Sequence, residues 1–176
     1  TVHTDGVVHR DLKPDNMLLQ PTYGGRLVRL IDFGLTKLLF DAELFTQPGM
    51  GTPYYISPEQ ITGKNTSHKI DLYAVGIMFY RSVNGSYPFL ADNVITLMGQ
   101  RLSQKPRPCA SWVPEPFAAL MPTFLAIEPV DRPEDAKEMR LLLQEAVRAA
   151  YQKKDGLSSV WFPWLSPSTK ESLSVE

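Results

Sequence analysis

At 176 residues, 43% hydrophobic and 21% charged, the chain has the composition of one soluble globular domain with a sizeable core, which excludes disordered and fibrous classes. A formal net charge of -1 gives no general electrostatic reason to bind nucleic acid or an anionic membrane, and no stretch approaches the ~18 apolar residues of a membrane span. One cysteine, Cys109, cannot form an intrachain disulfide, and three scattered histidines show no metal-ligand spacing; a reducing, cytoplasmic setting fits this usage.

In chain order, the sequence opens at Thr1 with a loop-like Asp5-Gly6, as if in the middle of something longer. Val7-Val8 then leads into a dense polar cluster, "HRDLKPDN" at residues 9–16, which reads as a loop because Pro14 forbids a continuing helix. "MLLQ" and "RLVRLI" predict two short strands, joined through Thr22-Tyr23-Gly24-Gly25 as a hairpin. Residues 32–59 have no sustained periodicity but several glycines and prolines, the pattern of a long functional loop inside a compact domain. Residues 71–83 are apolar on nearly every face and predict a central, all-round buried helix. Further helices are predicted over 92–104, 115–127 and 133–151, with Asp92 placed to cap the first and Pro133 suited to the first turn of the last. The tail, residues 152–176, is polar apart from an aromatic patch at Trp161, Phe162 and Trp164, read as packing on the domain; there is no internal repeat.

The polar cluster holds what phosphoryl transfer needs: a carboxylate to accept a hydroxyl proton, a cation near the transferred group, and oxygen ligands for magnesium. Asp11 supplies the carboxylate, Lys13 the cation and Asn16 an amide oxygen. A second acid follows where Asp32-Phe33-Gly34 ends the second strand, so the hairpin can fold Asp32 back to face Asn16 across a metal.

"HRDLKPDN", "DFG" and "GTPYYISPE", in that order, are similar to the catalytic loop, metal-binding turn and substrate-side loop of eukaryotic-like (Hanks-type) serine/threonine protein kinases, over about residues 3–148. The resemblance implies an α+β fold: a mainly helical C-terminal lobe with a short β-hairpin carrying the catalytic and metal-binding loops. It implies residues 1–151 as that lobe, residues 152–176 as a tail, and transfer of phosphate from ATP with Mg2+ to serine or threonine of a protein substrate. Neither nucleic acid nor a membrane span enters this expectation. Asp11 and Lys13 become catalytic, Asn16 and Asp32 metal ligands, Leu18 and Lys13 nucleotide contacts, and Thr52, Tyr55 and Glu59 the substrate loop. Lys13 after Asp11 is the serine/threonine rather than the tyrosine pattern, with Thr52 hydrogen-bonding near both.

The same resemblance assigns supporting roles. Glu59 and Arg132 form a buried ion pair, where on its own Arg132 in "PVDRP" would read as a solvated loop residue. Asp71 accepts backbone hydrogen bonds around Arg10, although its position alone reads as a helix N-cap. His9 and Phe33, with Gly34 beside them, resemble members of an apolar column, and Leu18 lies beneath an adenine ring; without the resemblance these are ordinary core residues. Arg10 marks a loop held by phosphate, and since Pro48 stands four residues before Thr52, Thr46 is the candidate phosphosite, against its reading as a polar loop residue.

No G-x-G-x-x-G occurs in the chain, and no strand lysine or helix glutamate precedes residue 3, so the N-terminal lobe is expected to be absent and the isolated segment inactive. Two other classes stay open. A pseudokinase or regulatory binding module would keep the fold without the chemistry, but Asp11, Asn16 and Asp32 are all present; a small-molecule phosphotransferase shares the first two motifs and is disfavoured by residues 51–59.

Overall fold

The computed structural model describes residues 7–23, 25–33, 53–64 and 67–152. Among them the chain is mainly helical, with one small antiparallel sheet. A 3-10 turn, Pro14–Asn16, closes the polar cluster, with proline in the first turn where a missing N–H costs nothing. Strands β1 (Met17–Thr22) and β2 (Gly25–Leu30) then pair antiparallel, from Met17 opposite Leu30 to Thr22 opposite Gly25.

Helix α1 (Pro58–Ile61) is only one turn long, yet it carries a full capping box. The Ser57 hydroxyl accepts from the Gln60 amide, and the Gln60 side chain reaches back to the Ser57 N–H at 3.1 Å. Helix α2 (Lys69–Asn84) is the central element and ends on Gly85, whose φ of 74° closes the last turn through an N–H to the Arg81 carbonyl. It starts two residues before Asp71, which is therefore not the N-cap the sequence reading allowed. The Asp71 carboxylate instead accepts from the backbone of residues 9–10, as the family resemblance implied.

Helix α3 (Val94–Ser103) is capped by Asn93 and not by Asp92, because the cap oxygen has to reach an amide three positions on, and Asn93 Oδ1 meets the Thr96 N–H at 2.8 Å. The single helix predicted over 115–127 is two one-turn helices, α4 (Glu115–Ala118) and α5 (Met121–Phe124). Pro122 has no N–H to continue α4, and suits the first turn of a new helix. After a 3-10 turn at Pro129–Asp131, helix α6 (Ala136–Gln152) begins three residues later than predicted. Asp135 Oδ1 accepts from the Glu138 N–H at 2.8 Å as the cap, while Pro133 lies upstream with its carbonyl taken by Lys69 Nζ at 2.9 Å.

The core lies between α2, the α4–α5 pair and α6. Tyr73, Ile77 and Tyr80 of α2 meet Phe117, Met121 and Leu125, closed from behind by Ala146 and Ala150 of α6; Leu72, Phe124 and Met139 form a second group beside it. Gly76 sets how near α2 comes to α5: a Cβ there would stand 3.0 Å from the Phe124 carbonyl oxygen. This anchored block presents the start of α2 and the whole of α1 to the polar cluster.

Candidate active site

The site is built on the backbone of residues 9–11. Asp71, 1% exposed, accepts from the His9 N–H at 2.8 Å and the Arg10 N–H at 2.9 Å. On the other side, Gln60 Nε2 donates to the Arg10 carbonyl at 2.9 Å. Arg10 has a left-handed φ of 69°, costly for a side-chain-bearing residue. Two buried partners, one on α2 and one on α1, hold it there. That conformation turns the chain sharply and delivers Asp11 to the surface.

Asp11, Lys13 and Asn16 come together. Lys13 Nζ lies 2.8 Å from Asp11 Oδ2, and Asn16 Nδ2 donates to the Asp11 carbonyl at 2.8 Å and to the same Oδ2 at 3.0 Å. One carboxylate oxygen is thus saturated, and Asp11 Oδ1 has no partner among the described residues. Asn16 is buried with its amide nitrogen fully used, which leaves its oxygen as the free end.

His9 links this loop to the far end of the hairpin. Fully buried, it donates from Nε2 to the Ile31 carbonyl at 2.8 Å, and Nδ1 then faces the Asp11 N–H at 3.4 Å as an acceptor. The Ile31 N–H meets the Asn16 carbonyl at 3.1 Å. Ile31 is therefore gripped from both sides immediately before Asp32, itself left-handed at φ 59°. Phe33 rests on the His9 ring at 4.7 Å between centroids. The Asp32 carboxylate is exposed and bonded to no described residue.

Glu59 and Arg132 form a bidentate ion pair, 2.7 and 2.8 Å, with side chains 5% and 0% exposed. The remaining guanidinium hydrogens go to the carbonyls of Ala126, Ile127 and Lys69, so all five N–H donors are used, which is what makes a buried charge tolerable. Below it the Tyr73 ring receives the Arg132 guanidinium at 4.8 Å. Burial pushes the Tyr73 phenol up to about 12 against the pull of Arg101 and Arg132.

Leu18 stands 52% exposed on β1, next to Leu19 at 60%. Tyr55 directs its hydroxyl to Tyr87 and Arg81. The Arg10 guanidinium has no partner among the described residues. Gly34, Thr46, Thr52 and the aromatic residues of the tail lie outside the described residues.

Sequence reasoning missed four residues around this site. Gln60 was visible in principle, since Ser57-Pro58-Glu59-Gln60 is a capping-box signature, although nothing local says that its amide also holds Arg10. Lys69 is buried and bonds the Pro133 carbonyl and the Glu134 carboxylate, fastening α2 to the chain before α6; that contact holds the Glu134 carboxyl below its ordinary value. Arg101, 1% exposed on α3, donates to the carbonyls of Pro53, Tyr54 and Ile56, and burial lowers its basicity. Arg81 meets Tyr87 and Tyr55 on the surface. For the last two the partners are 26 to 48 residues away or across an irregular loop, and no spacing rule reports such contacts.

The protein kinase domain model matches residues 1–148. The chain is 40% identical over 132 residues to the serine/threonine-protein kinase PkaA of Streptomyces coelicolor, covering 74% of this chain and 24% of that protein. It is 35% identical over 155 residues to the serine/threonine-protein kinase pkn3 of Myxococcus xanthus (81% and 28%) and 38% identical over 132 residues to the serine/threonine-protein kinase PknA of Mycobacterium tuberculosis (74% and 30%). It thus spans about a quarter of the length of the curated relatives it matches. With the motif order, the fastened loop and these matches in hand, the chain belongs to the protein kinase family, in the eukaryotic-like class that those bacterial serine/threonine kinases represent.

Proposed function

We propose that this chain supplies the catalytic half of an ATP- and Mg2+-dependent kinase that phosphorylates serine and threonine in proteins, residues 1–151 being its C-terminal lobe and residues 152–176 a tail. The observation that carries the reading is the state of Asp11: one carboxylate oxygen tied to Lys13 and Asn16, the other open, on a loop held by buried groups behind it.

Asp11 Oδ1 accepts the proton of the substrate hydroxyl as its oxygen attacks the terminal phosphorus and the bond to the bridging phosphate oxygen breaks. Lys13 has three donors and gives one to Asp11, leaving two for the oxygens of the moving phosphoryl group. The amide oxygen of Asn16 and the carboxylate of Asp32, neither bonded to a described residue, are hard donors of the kind magnesium takes and would hold the ion. Bound there, the ion neutralises phosphate charge. Leu18 offers its exposed side chain to the adenine ring. Glu59, Tyr55 and Thr52 belong to the segment that meets the peptide. Thr46, once phosphorylated, pairs with the Arg10 guanidinium, which has no partner among the described residues, and helps to order residues 35–57.

Phosphoamino-acid analysis of a general protein substrate treated with the full-length protein, ATP and magnesium tests the reading. Phosphoserine and phosphothreonine are expected, with Lys13→Ala lowering kcat more than it raises KM, because the charge acts on the group in transfer. Predominant phosphotyrosine, or no transfer, contradicts it.

A further inference from the structure

Two arginines hold the segment after residue 52, Arg101 buried and Arg81 exposed. Arg101 lies beneath, with its donors on the backbone carbonyls of Pro53, Tyr54 and Ile56, so that this stretch has a fixed course. Arg81, near the end of α2, lies on the outside. Its Nη1 donates to the hydroxyls of Tyr87 at 2.7 Å and Tyr55 at 3.0 Å, and its guanidinium carbon stands 4.6 Å from the centre of the Tyr87 ring. Tyr54 stacks on the other part of the cluster, 4.0 Å from Tyr87 and within 9° of parallel.

The two hydrogens of Nη1 are committed to tyrosines. Nε and Nη2 have no partner among the described residues, and no described carboxylate pairs with Arg81. These two nitrogens form the edge of a guanidinium that binds a carboxylate or phosphate with two parallel hydrogen bonds. The cluster aims that edge. Stacking on Tyr87 and two hydroxyl bonds remove most of the freedom an exposed arginine has, so less order is lost when an anion binds. Burial, then the hydrogen bond and charge of Tyr55, push the Tyr87 phenol up to about 12.

Its place relative to the chemistry follows from the chain. Tyr55 and Gln60 are five positions apart, so their Cα atoms lie within roughly 18 Å, and the Gln60 side chain bonds the carbonyl of Arg10 beside Asp11. An extended peptide with its hydroxyl at Asp11 covers that distance in about five residues.

Resting on the kinase reading above, we infer that Arg81, with Tyr54, Tyr55 and Tyr87, forms a substrate subsite for an anionic side chain, carboxylate or phosphate, a few residues from the phosphorylated serine or threonine. Peptides with a central serine and glutamate, phosphoserine, alanine or lysine at each flanking position, phosphorylated by the full-length protein, test it through ratios of kcat/KM. At one flanking position the anionic residue is preferred over lysine by about 3- to 10-fold, the range for a partly exposed charge-assisted pair. That ratio falls toward 1 in Arg81→Gln and drops below 1 in Arg81→Glu. A larger factor for phosphoserine than for glutamate assigns the subsite to already phosphorylated substrates, and the reverse assigns it to acidic ones; each supports the inference. Phosphorylation without anionic preference, or a preference that survives in Arg81→Glu, overturns the inference and leaves the kinase reading standing. No phosphorylation of any peptide or protein overturns both.

Discussion

The helical block and the β-hairpin solve opposite problems. In the block, buried charges are paired, Glu59 by Arg132, Asp71 by two backbone amides and Lys69 by the chain before α6, while the Tyr73 hydroxyl and Arg101 Nε are buried without a partner among the described residues. In the hairpin, Leu18, Leu19, Leu27 and Val28 are about half exposed or more, and among the described residues the sheet is fastened at its base, where Ile31 meets Asn16 and His9. The residues given chemical roles divide along this line. Asp11 and Lys13 follow a loop locked to the block, whereas Asp32 stands at the end of the hairpin and is tied to that loop through its neighbours Ile31 and Phe33. On the proposed function, the buried anchors stand behind the proposed proton acceptor Asp11, and the proposed metal ligand Asp32 stands at the end of a two-stranded sheet, a unit marginally stable by itself.

The contrast breaks most visibly at Arg132. Arg132→Ala leaves the Glu59 carboxylate buried without its partner, and denaturant unfolding should show a loss of about 3–5 kcal/mol. A loss below about 1 kcal/mol would mean that the block is not held by its buried polar groups.

Gln60→Ala sharpens the comparison within the site. It removes one side-chain hydrogen bond to Arg10 and the reciprocal cap of α1, and should cost about 1–2 kcal/mol while lowering phosphoryl transfer out of proportion to the fraction unfolded. A matched drop in activity and folded fraction would reduce Gln60 to a helix cap. At the small end, Leu19→Ser on the hairpin should change stability by less than about 0.5 kcal/mol, since its side chain is 60% exposed. A loss near 2 kcal/mol would show that this face is covered.

Periodicity carried the outline a long way. The hairpin, the central helix and the last helix were legible from apolar spacing and turn residues, because each is a local pattern. Where the reading went astray, two chemistries competed for one residue or one turn. Asp71 looks like a cap because an acid before an apolar run usually is one, yet its carboxylate is claimed by amides 61 and 62 residues away. Asp92 and Asn93 are equally good cap residues, and only the distance to the Thr96 amide separates them. Pro122 inside 115–127 was a readable break. Of the fastening of the site, the bonds of Asp71 around Arg10 and the Glu59–Arg132 pair came from the family resemblance, and the rest was not legible: that Gln60 bonds Arg10 or Arg101 bonds Tyr54 follows from how elements dock, which no single stretch of sequence contains.

The most direct test of the account is Asp32→Asn in the full-length protein, read by phosphate transfer and thermal unfolding together. Asparagine tolerates the left-handed backbone at this position, and the carboxylate it replaces is exposed and bonds to no described residue, so folding has nothing to lose. The account predicts an unchanged melting temperature and a fall in kcat of at least about a hundredfold, the effect of weakening the metal that stabilises transferring charge. Near-normal turnover at ordinary magnesium concentration would contradict it.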